Sequence, residues 1–261
     1  ENEKKDISVN GGVSAAEAVS AGEAVNFVVP TGNFGNILAA YYAKELGVPV
    51  HKLICASNSN KVLYDFFRTG EYDRNREFVL TTSPSMDILI SSNLERLIYH
   101  IAGDSAEADA GFMKKLSEEG KYQITDEMRK RLGDFAGGYA DEEETAEEIR
   151  ERYEKDGYVI DPHTAVASAV YGKYRKETGD ATRTVIVSTA SPFKFETSVM
   201  KALGKPHELP DLELADALSA VSGTPVPQAV AGLRGAEIRH KTVCDKDEKA
   251  MAAEVEKFLG I

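Results

Sequence analysis

The sequence predicts an α/β fold, an open and mostly parallel sheet flanked by helices. Three observations carry that expectation. Short β-rich runs alternate with helical patterns along most of the chain. The first run passes through a glycine-rich turn directly into a helical pattern. Strands separated by a helix run parallel, because the helix provides the long crossover that parallel pairing needs.

The elements follow in order. Residues 1–22 are rich in Ala, Ser, Gly and Glu and form an atypical N-terminal segment, in which Ser14–Val19 has the composition of a short helix. Val25–Val29 reads as a buried strand ending at Pro30. Thr31–Asn36 is a turn, and Ile37–Leu46 is a helix closed by Gly47. Val50–Ala56 is the next strand, Lys61–Phe67 a helix and Phe78–Thr82 a third strand. Asn93–Ile101 is a helix with Leu94, Leu97, Ile98 and Ile101 on one face. From Asp104 to Lys155 the chain is more polar, and Glu142-Glu143-Glu144 suits a solvated helix N-terminus. Thr164–Tyr174 is a helix, Thr184–Ser188 a β-branched strand, and a helix follows Pro192. Pro and Gly punctuate 205–244, and Asp247–Phe258 is the last helix. This divides the chain into 1–22, an α/β domain over 23–204, and an extension over 205–261 whose final helix is expected to pack on the same domain.

Composition narrows the function. At 261 residues, 42% hydrophobic and 28% charged, the chain can bury a substantial core. A net charge of -12 argues against nucleic acid and anionic membrane, which require clustered Lys and Arg. No apolar run approaches the roughly 20 residues of a transmembrane helix, and Glu1–Asp6 carries no apolar signal core. Cys55 and Cys244 are far apart and belong to no CxxC or Cys/His cluster, so no metal site is expected. Cys55 follows Leu53-Ile54 and reads as a buried, reduced thiol. Together these features suggest a cytoplasmic protein.

The strongest local signal is Pro30-Thr31-Gly32-Asn33-Phe34-Gly35-Asn36, between a strand and a helix. Glycines there let backbone N–H groups approach an anion, and the helix adds the positive end of its dipole. No Gly-Lys-Ser/Thr follows, which excludes a Walker loop, and the glycine spacing is not that of a dinucleotide-binding turn. Taken alone, the turn suits a phosphate or a purely structural role equally well.

This turn, continuing into Ile37-Leu38-Ala39, resembles the phosphate-binding loop of threonine synthases, which are fold-type-II pyridoxal-phosphate enzymes. Further segments resemble that family in order and spacing: Leu53–Asn58, Tyr72-Asp73-Arg74, Ser83–Ile88, Ser91–Arg96, Asp161–Val166 and Ser188–Phe195. They span most of the chain from Glu23 to Gly204.

The resemblance implies the C-terminal part of an enzyme that converts O-phosphohomoserine and water to threonine and phosphate. Pyridoxal 5'-phosphate is its cofactor, an electron sink for carbanions. Gly32, Asn33, Phe34, Gly35 and Asn36 match the family's phosphate cup, as backbone N–H donors. Thr189 matches the partner of the pyridine nitrogen. His163 lies in Asp161-Pro162-His163-Thr164, where helix capping and substrate contact are both open, and Ser83, Ser85 and Asp87 serve equally as a helix start.

One expected part is missing. The family's Schiff-base lysine precedes the phosphate loop in a Ser-Phe-Lys-Asp-like segment, yet upstream of Gly32 there are only Lys4 and Lys5, in Glu3-Lys4-Lys5-Asp6. Nothing upstream matches the substrate-carboxylate loop. Lys194 belongs to a different family motif, and Lys61 is a poorer candidate. The chain is therefore expected to be inactive alone, and to self-associate or pair with a missing N-terminal part. The alternatives are a non-catalytic phosphate-binding or scaffold fragment, and another fold-type-II lyase such as a dehydratase, which does not account for the Tyr72–Arg96 motifs.

Overall fold

A computed structural model describes residues 22–261. The expectations placed on Ser14–Val19 and on nearly all of 1–22 lie outside the described residues. Two compact units are present, one ending at Pro225 and one formed by Val226–Ile261.

In the first unit β1 (Val25–Pro30) leads through the glycine turn to α1 (Gly35–Glu45) and β2 (Val50–Ser57). Then come α2 (Val62–Thr69), β3 (Glu71–Asp73), a 3-10 turn at Pro84–Met86, α3 (Leu94–Ile101) and α4 (Ala106–Glu119). β4 (Lys121–Gln123), α5 (Asp126–Lys130) and β5 (Phe135–Tyr139) follow. The unit continues with α6 (Glu142–Asp156), α7 (Pro162–Thr178) and β6 (Thr184–Ile186). A second 3-10 turn at Pro192–Lys194, α8 (Glu196–Ala202) and α9 (Asp211–Ser222) complete it. α9 buries Leu214, Ala215 and Leu218 and contacts α8, which carries this unit on past residue 204. The second unit holds α10 (Gln228–Ala231) and α11 (Glu248–Leu259).

The main sheet has the order β5-β2-β1-β6 with every pair parallel. Alternate residues of its central strands serve opposite faces. Val29, Leu53 and Cys55 join Ile37, Phe66 and Leu97 in one core layer. Val28, Ile54 and Ala56 join Val166, Ala167 and Val170 in the other. Helices thus cover both faces, as a parallel sheet requires.

Strand order fixes where a ligand fits. From β1 the chain steps outward through β2 to β5, then returns to place β6 on the other flank of β1. The loops leaving β1 and β6 therefore diverge from neighbouring C-terminal strand ends. Such a reversal opens a crevice, which is where open α/β sheets bind ligands.

The structure departs from the expected elements in four places. Phe78–Thr82 is not a strand. Its backbone N–H groups find side chains instead of a ladder: Val79 donates to Asn60 Oδ1 at 2.9 Å and Thr81 to Asp87 Oδ2 at 2.9 Å. The strand at Thr184 ends at Ile186, although Val187 N still donates to Val28 O at 2.9 Å. Phe135–Tyr139 is an additional strand. Its Gly137-Gly138 pair hides the β pattern and is needed for packing. A Cβ on Gly137 would lie 3.2 Å from Phe67 Cβ, and one on Gly138 only 2.5 Å from Val170 Cγ1, so α2 and α7 press on this strand from opposite sides. β3 and β4 form a separate antiparallel pair that composition did not reveal. Among the described residues, no helix is long and apolar enough to cross a membrane.

Cys55 is fully buried in β2, and burial pushes its thiol up to about 12, whereas Cys244 is exposed. A thiol that cannot ionise near neutral pH is unreactive. Ellman's reagent at pH 8 should therefore titrate one thiol rapidly in the native protein, and the second only after denaturation. Rapid reaction of both would contradict this placement.

Candidate functional site

The turn after β1 is held by its carbonyls. Ser91 Oγ donates to Gly32 O at 2.7 Å. Asn93 donates to Asn33 O twice, from its backbone N at 3.2 Å and from Nδ2 at 2.6 Å. A trans peptide is planar, with its N–H opposite its C=O. Anchoring the carbonyls of Gly32 and Asn33 therefore turns the N–H groups of Asn33 and Phe34 away from Ser91 and Asn93. Gly35 and Asn36 begin α1, whose first-turn N–H groups have no intrahelical partner. No side chain caps this helix and its first turn holds no acidic residue. The result is a run of donors at the positive end of a helix dipole.

The two glycines do different work. A Cβ on Gly32 would lie 2.3 Å from the backbone oxygen of Ser85, so the close approach of two main chains demands glycine there. Gly35 has space, the nearest atom to its would-be Cβ being Asn93 Nδ2 at 3.7 Å. The strained residue is Phe34, a non-glycine with φ 64°. Its buried ring packs against Phe67 at 6.1 Å and Phe135 at 6.0 Å. Core packing holds a backbone conformation that local preference disfavours.

Ser85 is itself fixed. Asp87 accepts from Asn58 Nδ2 at 2.8 Å, Asn60 Nδ2 at 3.0 Å, Thr81 N at 2.9 Å and Thr81 Oγ1 at 2.6 Å. Tyr72 donates from its hydroxyl to Leu89 O at 3.0 Å and accepts from Ser91 N at 2.7 Å, and burial pushes that phenol up to about 12. Residues 81–93 thus form a braced shelf beneath the turn. The sequence placed Ser83, Ser85, Asp87 and Ser91–Arg96 in suggestive segments but gave no sign that Ser91, Asn93 and Asp87 are anchors. Such long-range bonds leave no local periodicity.

Facing the turn, a cavity of about 280 Å³ is lined by residues 30–36, Ser85, Met86 and Asn93, and by His163, Thr189, Ala190 and Lys194. Gly32, Asn33, Phe34, Gly35, Asn36 and Thr189, far apart in the chain, are brought together. Thr189 follows β6 by three residues and is exposed. Lys194 reaches the same cavity from the 3-10 turn after Thr189. Lys61 does not line it, and its ammonium sits 4.3 Å over the Tyr139 ring.

Asp161 caps α7. It accepts from His163 N at 2.9 Å, Thr164 N at 3.4 Å, His163 Nδ1 at 3.0 Å and the Thr164 hydroxyl. Burial pushes its pKa up, but the bonds from His163 and Thr164 outweigh burial and hold it below the ordinary carboxylate value. Among the described residues no group of three or more His, Cys, Asp or Glu could hold a metal.

Comparison with known proteins points to one family. Residues 164–255 match the family model described as threonine synthase, C-terminal. Human threonine synthase-like 1 is 43% identical over 187 residues, which is 71% of this chain and 25% of that protein. The crystal structure of yeast threonine synthase superposes with a TM-score of 0.77 at 31% identity, over 91% of this chain and 48% of the yeast chain. The pyridoxal-phosphate-bound threonine synthase of Brucella melitensis gives a TM-score of 0.67 at 35% identity, over 82% and 46% of the two chains. The chain spans between 25% and 40% of the length of the curated relatives it matches.

The asymmetry of the glycines gives a test. Gly32→Ala drives a Cβ into the Ser85 backbone and should lower stability by about 1–3 kcal/mol. Gly35→Ala, where the added Cβ has room, should stay within about 0.5 kcal/mol of wild type. Equal losses, measured by urea denaturation of the two variants, would contradict this placement.

Proposed function

This chain belongs to the threonine synthase family, matching the C-terminal part of its members, and on this premise we propose that it forms the cofactor-phosphate half of a pyridoxal-phosphate-dependent threonine synthase. The observation that carries the reading is the anchored turn at Gly32–Asn36, facing Thr189 across the reversal point of the sheet. The residues fit the group. Oriented N–H donors and an uncapped helix start suit a phosphate dianion, and the close backbone approach at Gly32 leaves the cavity free of a side chain there. The pyridoxal phosphate bound in the Brucella enzyme supports the same choice.

Once bound, pyridoxal phosphate supplies an electron sink for carbanion chemistry on O-phosphohomoserine. The N–H groups of Asn33, Phe34, Gly35 and Asn36 hold the phosphate. Thr189 offers a neutral hydroxyl to the ring nitrogen, which leaves that nitrogen unprotonated, as a carboxylate would not. No segment of this chain matches the family's lysine segment, and the relatives are two and a half to four times the length it covers. The lysine and the substrate-carboxylate loop are therefore assigned to sequence outside these 261 residues. A purely phosphate-binding or scaffold role is the second reading, favoured by the lack of that lysine here.

Two measurements separate the readings. The full-length protein should release phosphate from O-phosphohomoserine, and the 261-residue chain should not, because a proton-transferring group alone contributes about 10²–10⁴-fold. Borohydride reduction of the cofactor-loaded full-length protein, followed by peptide mass analysis, should label a lysine outside this chain. Labelling of Lys194 or Lys61 would overturn the assignment, and a full-length protein that binds the cofactor but releases no phosphate would favour the second reading.

A further inference from the structure

His163 has a feature that helix capping does not use. Its side chain is 3% exposed, its ring packs 4.8 Å from that of Phe195, and it lines the cavity facing the glycine turn. Nδ1 is committed to Asp161 at 3.0 Å, while Nε2 is buried with no hydrogen-bond partner. A buried polar nitrogen without a partner is costly, and each one in a native fold calls for an explanation. Every other contact of Asp161 is a donor, so its carboxylate is an acceptor only, and Nδ1 carries a proton. The ring is thus fixed in tautomer and direction from behind, as in other carboxylate–histidine pairs. Thr164 extends the brace, its hydroxyl lying 3.1 Å from that of Ser188, next to Thr189. Lys194 lines the same cavity and adds a positive charge.

We infer that His163 is a second anion-binding residue of this cavity, donating from Nε2–H to an oxygen of a phosphorylated ligand while Asp161 holds the ring at Nδ1. To donate from both nitrogens the ring is an imidazolium, flanked by a carboxylate on one side and the ligand oxygen on the other. The inference rests on the reading of the cavity as a phosphate site. The oxygen belongs either to the cofactor phosphate or to the phosphate of the substrate.

Two substitutions in the full-length protein isolate the contact. His163→Asn keeps a donor within reach of Asp161 and removes the far nitrogen, whereas His163→Gln restores a neutral donor at about the reach of Nε2. If the oxygen is the cofactor's, H163N weakens pyridoxal phosphate by at least about tenfold and leaves pyridoxal unchanged. If it is the substrate's, pyridoxal phosphate binds normally and inorganic phosphate binds the cofactor-loaded protein at least about tenfold more weakly. In either case H163Q recovers part of the loss. Equal weakening of pyridoxal and pyridoxal phosphate, or no change in any arm, overturns the role. A measurement on wild type needs no variant: the ¹⁵N resonance of His163 Nε2 should move from the bare to the protonated position on saturation with the phosphorylated ligand. A resonance that stays in place overturns the inference even if the cavity binds phosphate. A wild type that binds neither pyridoxal phosphate nor inorganic phosphate overturns the reading of the cavity itself.

Discussion

The candidate site depends on one constraint, the orientation of two peptide planes. Ser91 and Asn93 hold the carbonyls of Gly32 and Asn33, and planarity then dictates where the following N–H groups point. Everything nearby serves that constraint. Asp87 collects donors from Asn58, Asn60 and Thr81 and so fixes the shelf that carries Ser85. Gly32 lets the shelf approach to a distance at which no Cβ fits. The Phe34 ring, buried between Phe67 and Phe135, holds the left-handed backbone that starts α1. Donors oriented in advance cost little to reorganise when an anion binds.

The sheet supplies the second condition. Burial of both faces makes its central strands near-continuous apolar runs, and the return from β5 to β6 places two loops beside one crevice. One loop brings the turn and the other brings Thr189 and Lys194, while α7 contributes His163. The site is therefore a product of topology, since its residues are drawn from a stretch of more than 150 positions in sequence.

How much of this was legible follows from the kind of information involved. Strong local patterns were read correctly: the strands beginning at Val25 and Val50, the apolar face of Leu94–Ile101, and the glycine turn between strand and helix. Phe78–Thr82 misled because its β-rich composition lacks a strand to pair with, and the side chains of Asn60, Asp87 and Glu142 satisfy its backbone instead. Phe135–Tyr139 was hidden because Gly137 and Gly138, selected by contact with two helices, erase the β signal. The anchors Ser91, Asn93 and Asp87 act across 6 to 60 residues, and no periodicity announces such bonds. The sequence does not distinguish Gly32 from Gly35, but the tertiary neighbour Ser85 does, because an added Cβ meets its backbone only at Gly32.

The central claim is that the oriented N–H groups of this turn hold a phosphate. Amide chemical shifts test it most directly. On titration of the ¹⁵N-labelled full-length protein with pyridoxal phosphate, the amides of Asn33, Phe34, Gly35 and Asn36 should move downfield together and saturate with the same dissociation constant, as donors to a charged oxygen do. Saturable binding that leaves these four amides unmoved, with the largest changes elsewhere in the fold, would contradict the account.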